Sequence, residues 1–116
     1  MQVVRVTMAV EKMAEMVHFY NAVFGAGLAP IGPSDLPLYK GRLGGLDLLF
    51  CPNALLQIQA EKNNLQLSVE VDNLERAVAA AEDHGGGVLA NPEAARELRV
   101  GIVDPDGNTI ELVETR

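Results

Sequence analysis

A chain of 116 residues is about one domain's worth of polypeptide, and 48% hydrophobic with 22% charged residues is the balance of an ordinary globular protein. The formal net charge of −7 works against a nucleic-acid or anionic-membrane partner, because phosphate surfaces attract cationic proteins. The lone Cys51 cannot form an internal disulfide, no apolar run approaches the ~20 residues of a bilayer span, and no leader-like segment opens the chain, so a cytoplasmic protein is expected.

In chain order, Val3 to Val10 reads as a strand. Met13, Met16, Val17, Tyr20, Val23 and Phe24 recur three or four apart, which predicts a helix ended by Gly25 and Gly27. A short strand near Leu28 and a loop marked by Pro30, Gly32, Pro33 and Pro37 follow. Leu38 to Phe50 reads as one longer strand, weakened or bulged at Gly41, Gly44 and Gly45. After a turn at Cys51-Pro-Asn53, Ala54 to Ala60 returns as a strand, and Glu61 to Asn64 is the one linker candidate.

The second half repeats this order. Leu65 to Val71 is strand-like, and Asp72 with Glu75 three places on resembles a capping box. The helix runs through Leu74, Val78 and Ala81 and stops at Gly85-Gly-Gly87. Val88 to Ala90, Glu97 to Val103 and Asn108 to Thr115 read as strands, the last two joined at Asp104-Pro-Asp-Gly-Asn108, a run dense in turn formers. The result is β-α-β-β-β twice. An offset of 61 lays Val6 to Glu11 over Leu67 to Asp72, and near the ends an offset of 54 lays Leu48 to Ile58 over Ile102 to Leu112.

Period two then sorts the strands into faces. The apolar rows Val4/Val6/Met8, Leu65/Leu67/Val69, Leu56/Ile58 and Ile110/Leu112 belong under the helices. The opposite face carries Arg5, Thr7, Gln57, Gln59, Gln66, Ser68, Glu70, Thr109 and Glu111. That is too polar for a second core and suits the lining of a cup for a small polar ligand. By the two offsets Arg5 corresponds to Gln66, and Gln57 to Glu111. Tyr39 and Phe50 could line the cup or join the core.

The closing Asp-Pro-Asp-Gly-Asn-x-Ile-Glu-Leu, with Val6 to Val10, His18-Phe-Tyr20, Phe24-Gly25 and Val69 to Asp72, closely resembles the vicinal oxygen chelate superfamily of glyoxalases, bleomycin and fosfomycin resistance proteins and extradiol dioxygenases. The resemblance covers nearly the whole chain. It implies an α+β fold: one domain, 1–116, of two tandem βαβββ modules (about 1–61 and 62–116) forming a curved mixed sheet with helices outside. Metal-dependent members hold a divalent ion with a His, Glu, His, Glu pattern in which Gln sometimes substitutes. Here those places fall to Arg5, Gln57, Gln66 and Glu111. An arginine has no lone pair to offer, and two amides with one carboxylate compete poorly for a divalent ion, so no cofactor is expected. The alternative is a Zn, Ni, Mn or Fe site on Gln57, Gln66 and Glu111.

Two readings of the quartet stay open. Arg5 and Glu111 could form an ion pair trimmed by amides, or Arg5 could anchor an anionic ligand beside Gln57, Gln66 and Tyr39, with Glu111 as a base. The functions to weigh are therefore a metal-free small-molecule binder, a glyoxalase-like lyase, isomerase or dioxygenase, and an interaction module with a vestigial cup. Homodimers are usual for modules of this type, and one is expected here. His18 lies on the polar helix face, and His84 is a helix-end cation. Asp104 and Asp106 belong to the turn rather than to a calcium loop.

Overall fold

The computed structural model describes residues 1–35, 37–53, 65–89 and 98–115. Within them the chain forms two compact units, Met1–Ala60 and Glu61–Arg116. In the first unit, β1 (Arg5–Val10) leads into α1 (Met13–Phe24), followed by β2 (Ala29–Ile31), β3 (Leu38–Leu43) and β4 (Leu46–Pro52). In the second, β5 (Leu67–Val71) leads into α2 (Leu74–Asp83), followed by β6 (Gly87–Val88), β7 (Arg99–Val103) and β8 (Thr109–Glu114). Each module has its own four-stranded mixed sheet, ordered β1-β4-β3-β2 and β5-β8-β7-β6. The expected α+β plan of tandem βαβββ modules holds. Among the described residues no helix is long and apolar enough to cross a membrane.

In each sheet the last strand lies parallel beside the first, which is what a helical crossover permits. One face of the first sheet receives α1. Met16, Phe19 and Tyr20 are fully buried against Leu48, Phe50 and Val10, and the Tyr20 and Phe50 rings meet edge-on at 5.2 Å. Helix α1 ends with Gly25 in the left-handed conformation. The Asn21 amide then accepts from the Leu28 amide N–H (2.6 Å) and donates to the Leu28 carbonyl (3.1 Å), tying the following segment down. Ala26 there accepts from the Arg42 N–H at 2.8 Å. Gly41 permits that approach, since a Cβ at this position would run into the Ala26 carbonyl oxygen.

The second module packs more lightly. Its interior is Ile102, Ile110 and Leu112, and of α2 only Ala81 is fully buried. The Asn73 side chain caps α2 by accepting from the Arg76 N–H at 2.9 Å, so the cap falls one residue after the Asp72 read from the sequence. The Asp104–Asn108 turn closes the β7–β8 hairpin as expected. The buried Asp104 Oδ1 accepts from the N–H groups of Asp106 (3.0 Å) and Asn108 (2.9 Å), and the Asn108 amide donates to Oδ2 at 2.9 Å. These bonds use up the acceptors that a calcium ion would need.

One expectation fails. Leu38 to Phe50 is not a single strand but a hairpin, folded at Gly44-Gly45 so that Leu43 pairs with Leu46. Gly44 has φ of 58°, a conformation that favours glycine in a two-residue hairpin loop. The fourth strand of the first module is therefore Leu46–Pro52, and the strand expected over Ala54 to Ala60 lies outside the described residues. The offset of 54 fails with it. Val6 and Leu67, equivalent in the repeat, are partnered by Leu48 and Ile110. Thr7 and Ser68 are partnered by Leu49 and Glu111, so the first-module counterpart of Glu111 is Leu49 and not Gln57.

Candidate functional site

Each sheet presents the face away from its helix as the place for polar chemistry. In the first module Phe50 points at α1, so the alternate positions Asp47, Leu49 and Cys51 share the open face. Their register partners extend it to Arg5, Thr7 and Ala9 on β1 and to Lys40 and Arg42 on β3. Arg5 lies directly opposite Asp47. Arg42 Nη1 donates to Asp47 Oδ1 at 2.8 Å, and Lys40 Nζ stands 3.7 Å from Oδ2. The Arg42 hydrogen bond, above all, holds the Asp47 carboxyl below the usual carboxylate range. Partial desolvation opposes this, and the charges of Lys40, Arg42 and Arg5 reinforce it. Tyr39 pairs with Phe50 and so sits on the helix-covered face. Burial raises the Cys51 pKa, which keeps the thiol from being a ready nucleophile.

In the second module Ile110 and Leu112 are buried on the helix side, leaving Thr109, Glu111 and Val113 on the open face. Their partners there are Ser68 and Glu70 on β5 and Arg99, Gly101 and Val103 on β7. The Ser68 hydroxyl donates to Glu111 Oε1 at 2.9 Å, and Arg99 Nη1 donates to Oε2 at 3.4 Å. Just beyond, Gln66 Nε2 donates to Thr109 Oγ1 at 2.9 Å. Opposite Glu111, Gly101 leaves room for the Leu89 side chain, which is 40% exposed and forms an apolar margin to this polar row.

The structure thus brings Gln66 to Thr109 and Ser68 to Glu111, and sets Arg5 on the open face of the first module. Gln57 and Gln59 lie outside the described residues. Arg99 was missed by sequence reasoning. Its signal was available: in Arg99-Val-Gly-Ile-Val103 it alternates with Val100 and Ile102 and falls in phase with Glu111 once the hairpin register is set. Also unforeseen is a cavity of about 420 Å³ lined by Asn73, Leu74, Glu75, Val78, Arg99, Val100 and Glu114. Glu114 there accepts from the Leu74 N–H at 3.3 Å, so one carboxylate already serves the start of α2.

The donors around Glu111 do not fit a divalent metal. Both carboxylate oxygens face protein donors, one of them a guanidinium, and the nearby amide of Gln66 is a weak ligand. Among the described residues no group of three or more His, Cys, Asp or Glu could hold a metal ion.

Paired βαβββ modules, each with one helix-covered and one polar sheet face, define a class of folds that build small-molecule sites on curved sheets. A glyoxalase-like domain model matches residues 5–113, and the chain belongs to that family within the vicinal oxygen chelate superfamily. Among solved structures, a gene product from Arabidopsis thaliana superposes with a TM-score of 0.80 at 22% identity, over 98% of this chain and 99% of that one. A glyoxalase-related enzyme from Fulvimarina pelagi gives 0.73 at 20%, over 98% and 88%. The fosfomycin resistance protein FosX from Mesorhizobium loti gives 0.76 at 14%, over 99% and 92%. At these identities the likeness is one of fold. No curated protein matches the chain.

Proposed function

We propose that this protein binds a small anionic or polar molecule on its open sheet surface, with Arg5 as an anchor and without a catalytic metal at Glu111. The observation that carries the reading is the occupation of both Glu111 oxygens by Ser68 and Arg99, which turns the family's ligand carboxylate into an orienting group for a guanidinium. Arg5 supports it: its exposed side chain lies on the open face, where planar donors can take a carboxylate or phosphate. On the open face of the second module Gln66 and Thr109 offer neutral donors and acceptors.

The test has two arms. Protein purified and then offered Zn, Ni, Mn or Fe should retain none at stoichiometric level by elemental analysis. Calorimetric titration with acetate, malonate and inorganic phosphate should show at least one bound by the wild type and weakened in Arg5→Ala. Stoichiometric metal that is lost in Glu111→Gln, or equal affinities for wild type and Arg5→Ala, would overturn the reading. We also infer a homodimer. β1 and β5 are edge strands of their sheets, with Val3, Val4 and Leu65 exposed beside them, and such edges and apolar side chains are commonly covered by pairing. A monomer mass in sedimentation equilibrium at micromolar concentration would rule that out.

A further inference from the structure

We propose that the open face of the first module is a subsite for a doubly charged small anion of the phosphate-monoester type, held by Arg5 and Arg42 with Lys40 beside them. The inference rests on the binding reading above and adds the charge class and two residues, Lys40 and Arg42, that the reading does not use.

The case is one of charge placement. The chain carries 9 Lys and Arg against 16 Asp and Glu, so cations are scarce and their clustering needs a cause. Three of them stand on one face of the sheet, Arg5 on β1 and Lys40 and Arg42 on β3, with β4 between. Asp47 is the one carboxylate among the strand residues of that face, which leaves a surplus of two positive charges in a molecule of net charge −7. Neighbouring strands are about 4.8 Å apart, so the stems of Arg5 and Arg42 rise about 10 Å from each other, on either side of Asp47. Flexible side chains of that length close over a group the size of a phosphate. Asp47 contacts Arg42 at 2.8 Å and Lys40 at 3.7 Å over the sheet; it keeps like charges together while the site is empty and competes with an incoming anion for them. The side chains of Arg42 and Lys40 remain 61% and 43% exposed, so donors are left for an incoming oxygen anion. A singly charged ligand would leave half of the surplus uncompensated, whereas a dianion neutralises it.

The probe is inorganic phosphate near pH 8, where the dianion predominates, with acetate as the singly charged control, titrated calorimetrically at low ionic strength. Wild type should bind phosphate more tightly than acetate. Lys40→Met and Arg42→Gln should each weaken phosphate, the Arg42 change by about tenfold, in line with loss of one charge-assisted contact. Asp47→Asn should tighten phosphate severalfold by removing the competing anion. A single cooperative thermal transition in each variant would exclude misfolding. Phosphate affinity unchanged in Lys40→Met/Arg42→Gln, or no tighter in Asp47→Asn, overturns the subsite. Should Arg5→Ala weaken phosphate while the Lys40 and Arg42 variants leave it unchanged, or acetate bind as well as phosphate, the dianion subsite fails while the broader binding reading stands. Should wild type bind no anion at all, both fail.

Discussion

The three Phe and two Tyr of the chain all fall in the first module, where Phe19, Tyr20 and Phe24 make edge-on or tilted ring contacts within α1 and Tyr20 meets Phe50 of the sheet edge-on. The second module, with the same strand order, packs α2 over Ile102, Ile110 and Leu112 without a ring among its residues. Their open faces differ as well. The first places its carboxylate at Asp47 among three cations. The second has a carboxylate one partner further along the closing strand, at Glu111, with one cation and a hydroxyl, and a second at Glu70 on β5. Strand order and parallel closure survive a wholesale change of side chains, because they depend on backbone pairing and on an apolar row every second residue. The chemistry of each open face depends on single positions and has diverged freely.

The sharpest way to break the comparison is to remove the aromatic material. Phe50→Ala should cost about 3–5 kcal/mol in urea unfolding, and Leu112→Ala, its counterpart in the second module, about 2–4. Equal losses would mean that the aromatic cluster adds nothing beyond bulk. Next come the two hairpin turns. Asp104→Ala strips a buried turn of the acceptor for several N–H groups and should cost about 2–3 kcal/mol. Gly44→Ala places a side chain at φ of 58° and should cost about 1 kcal/mol. If Gly44→Ala proved the more damaging, the polar cage at Asp104 would be decoration.

The open faces should show smaller effects on stability. Glu111→Gln removes a half-exposed ion pair, with Arg99 43% and Glu111 31% exposed, and should shift stability by less than about 1 kcal/mol. The smallest effect is a pH dependence at Asp47. Its pKa is lowered in the folded chain, so its contribution is fully present above the unfolded value of 3.8 and is lost as pH falls through the lower folded value. Comparing thermal midpoints of wild type and Asp47→Asn between pH 6 and pH 2 should show the two curves converging only at the acid end. Convergence near neutrality would contradict the assignment.

Fold and site were legible to different depths. The helices, the βαβββ repeat and the Asp104–Asn108 turn could be read because each depends on local rules, namely apolar period, glycine stops and turn formers at fixed places. The β3–β4 hairpin was hidden because Gly41, Gly44 and Gly45 all interrupt Leu38 to Phe50, and they were read as bulges in one strand although Gly44-Gly45 is itself a turn signal. That one misreading moved the fourth strand and sent the repeat to Gln57. Glu111 on β8, and Gln66 one residue before β5, fall on the expected face because the phase of those strands was read correctly. Lys40, Arg42 and Asp47 were overlooked because residues on the two arms of an unrecognised hairpin cannot be seen as neighbours. Arg99 escaped because its pairing with Glu111 is a cross-strand relation that shows only once the β7–β8 register is set.

The order β1-β4-β3-β2, repeated as β5-β8-β7-β6, sets a schedule for biosynthesis. In each module the strand that bridges the first to the third is the last one translated. Until Leu46–Pro52 has left the ribosome, β1 has no partner and nothing joins the β2–β3 pair to it. A chain truncated just before Thr109 would hold a finished first sheet, but in its second module β5 and a β6–β7 pair would have nothing to join them. Such a chain should be far more open to protease in its second half than one extended by the six residues of β8.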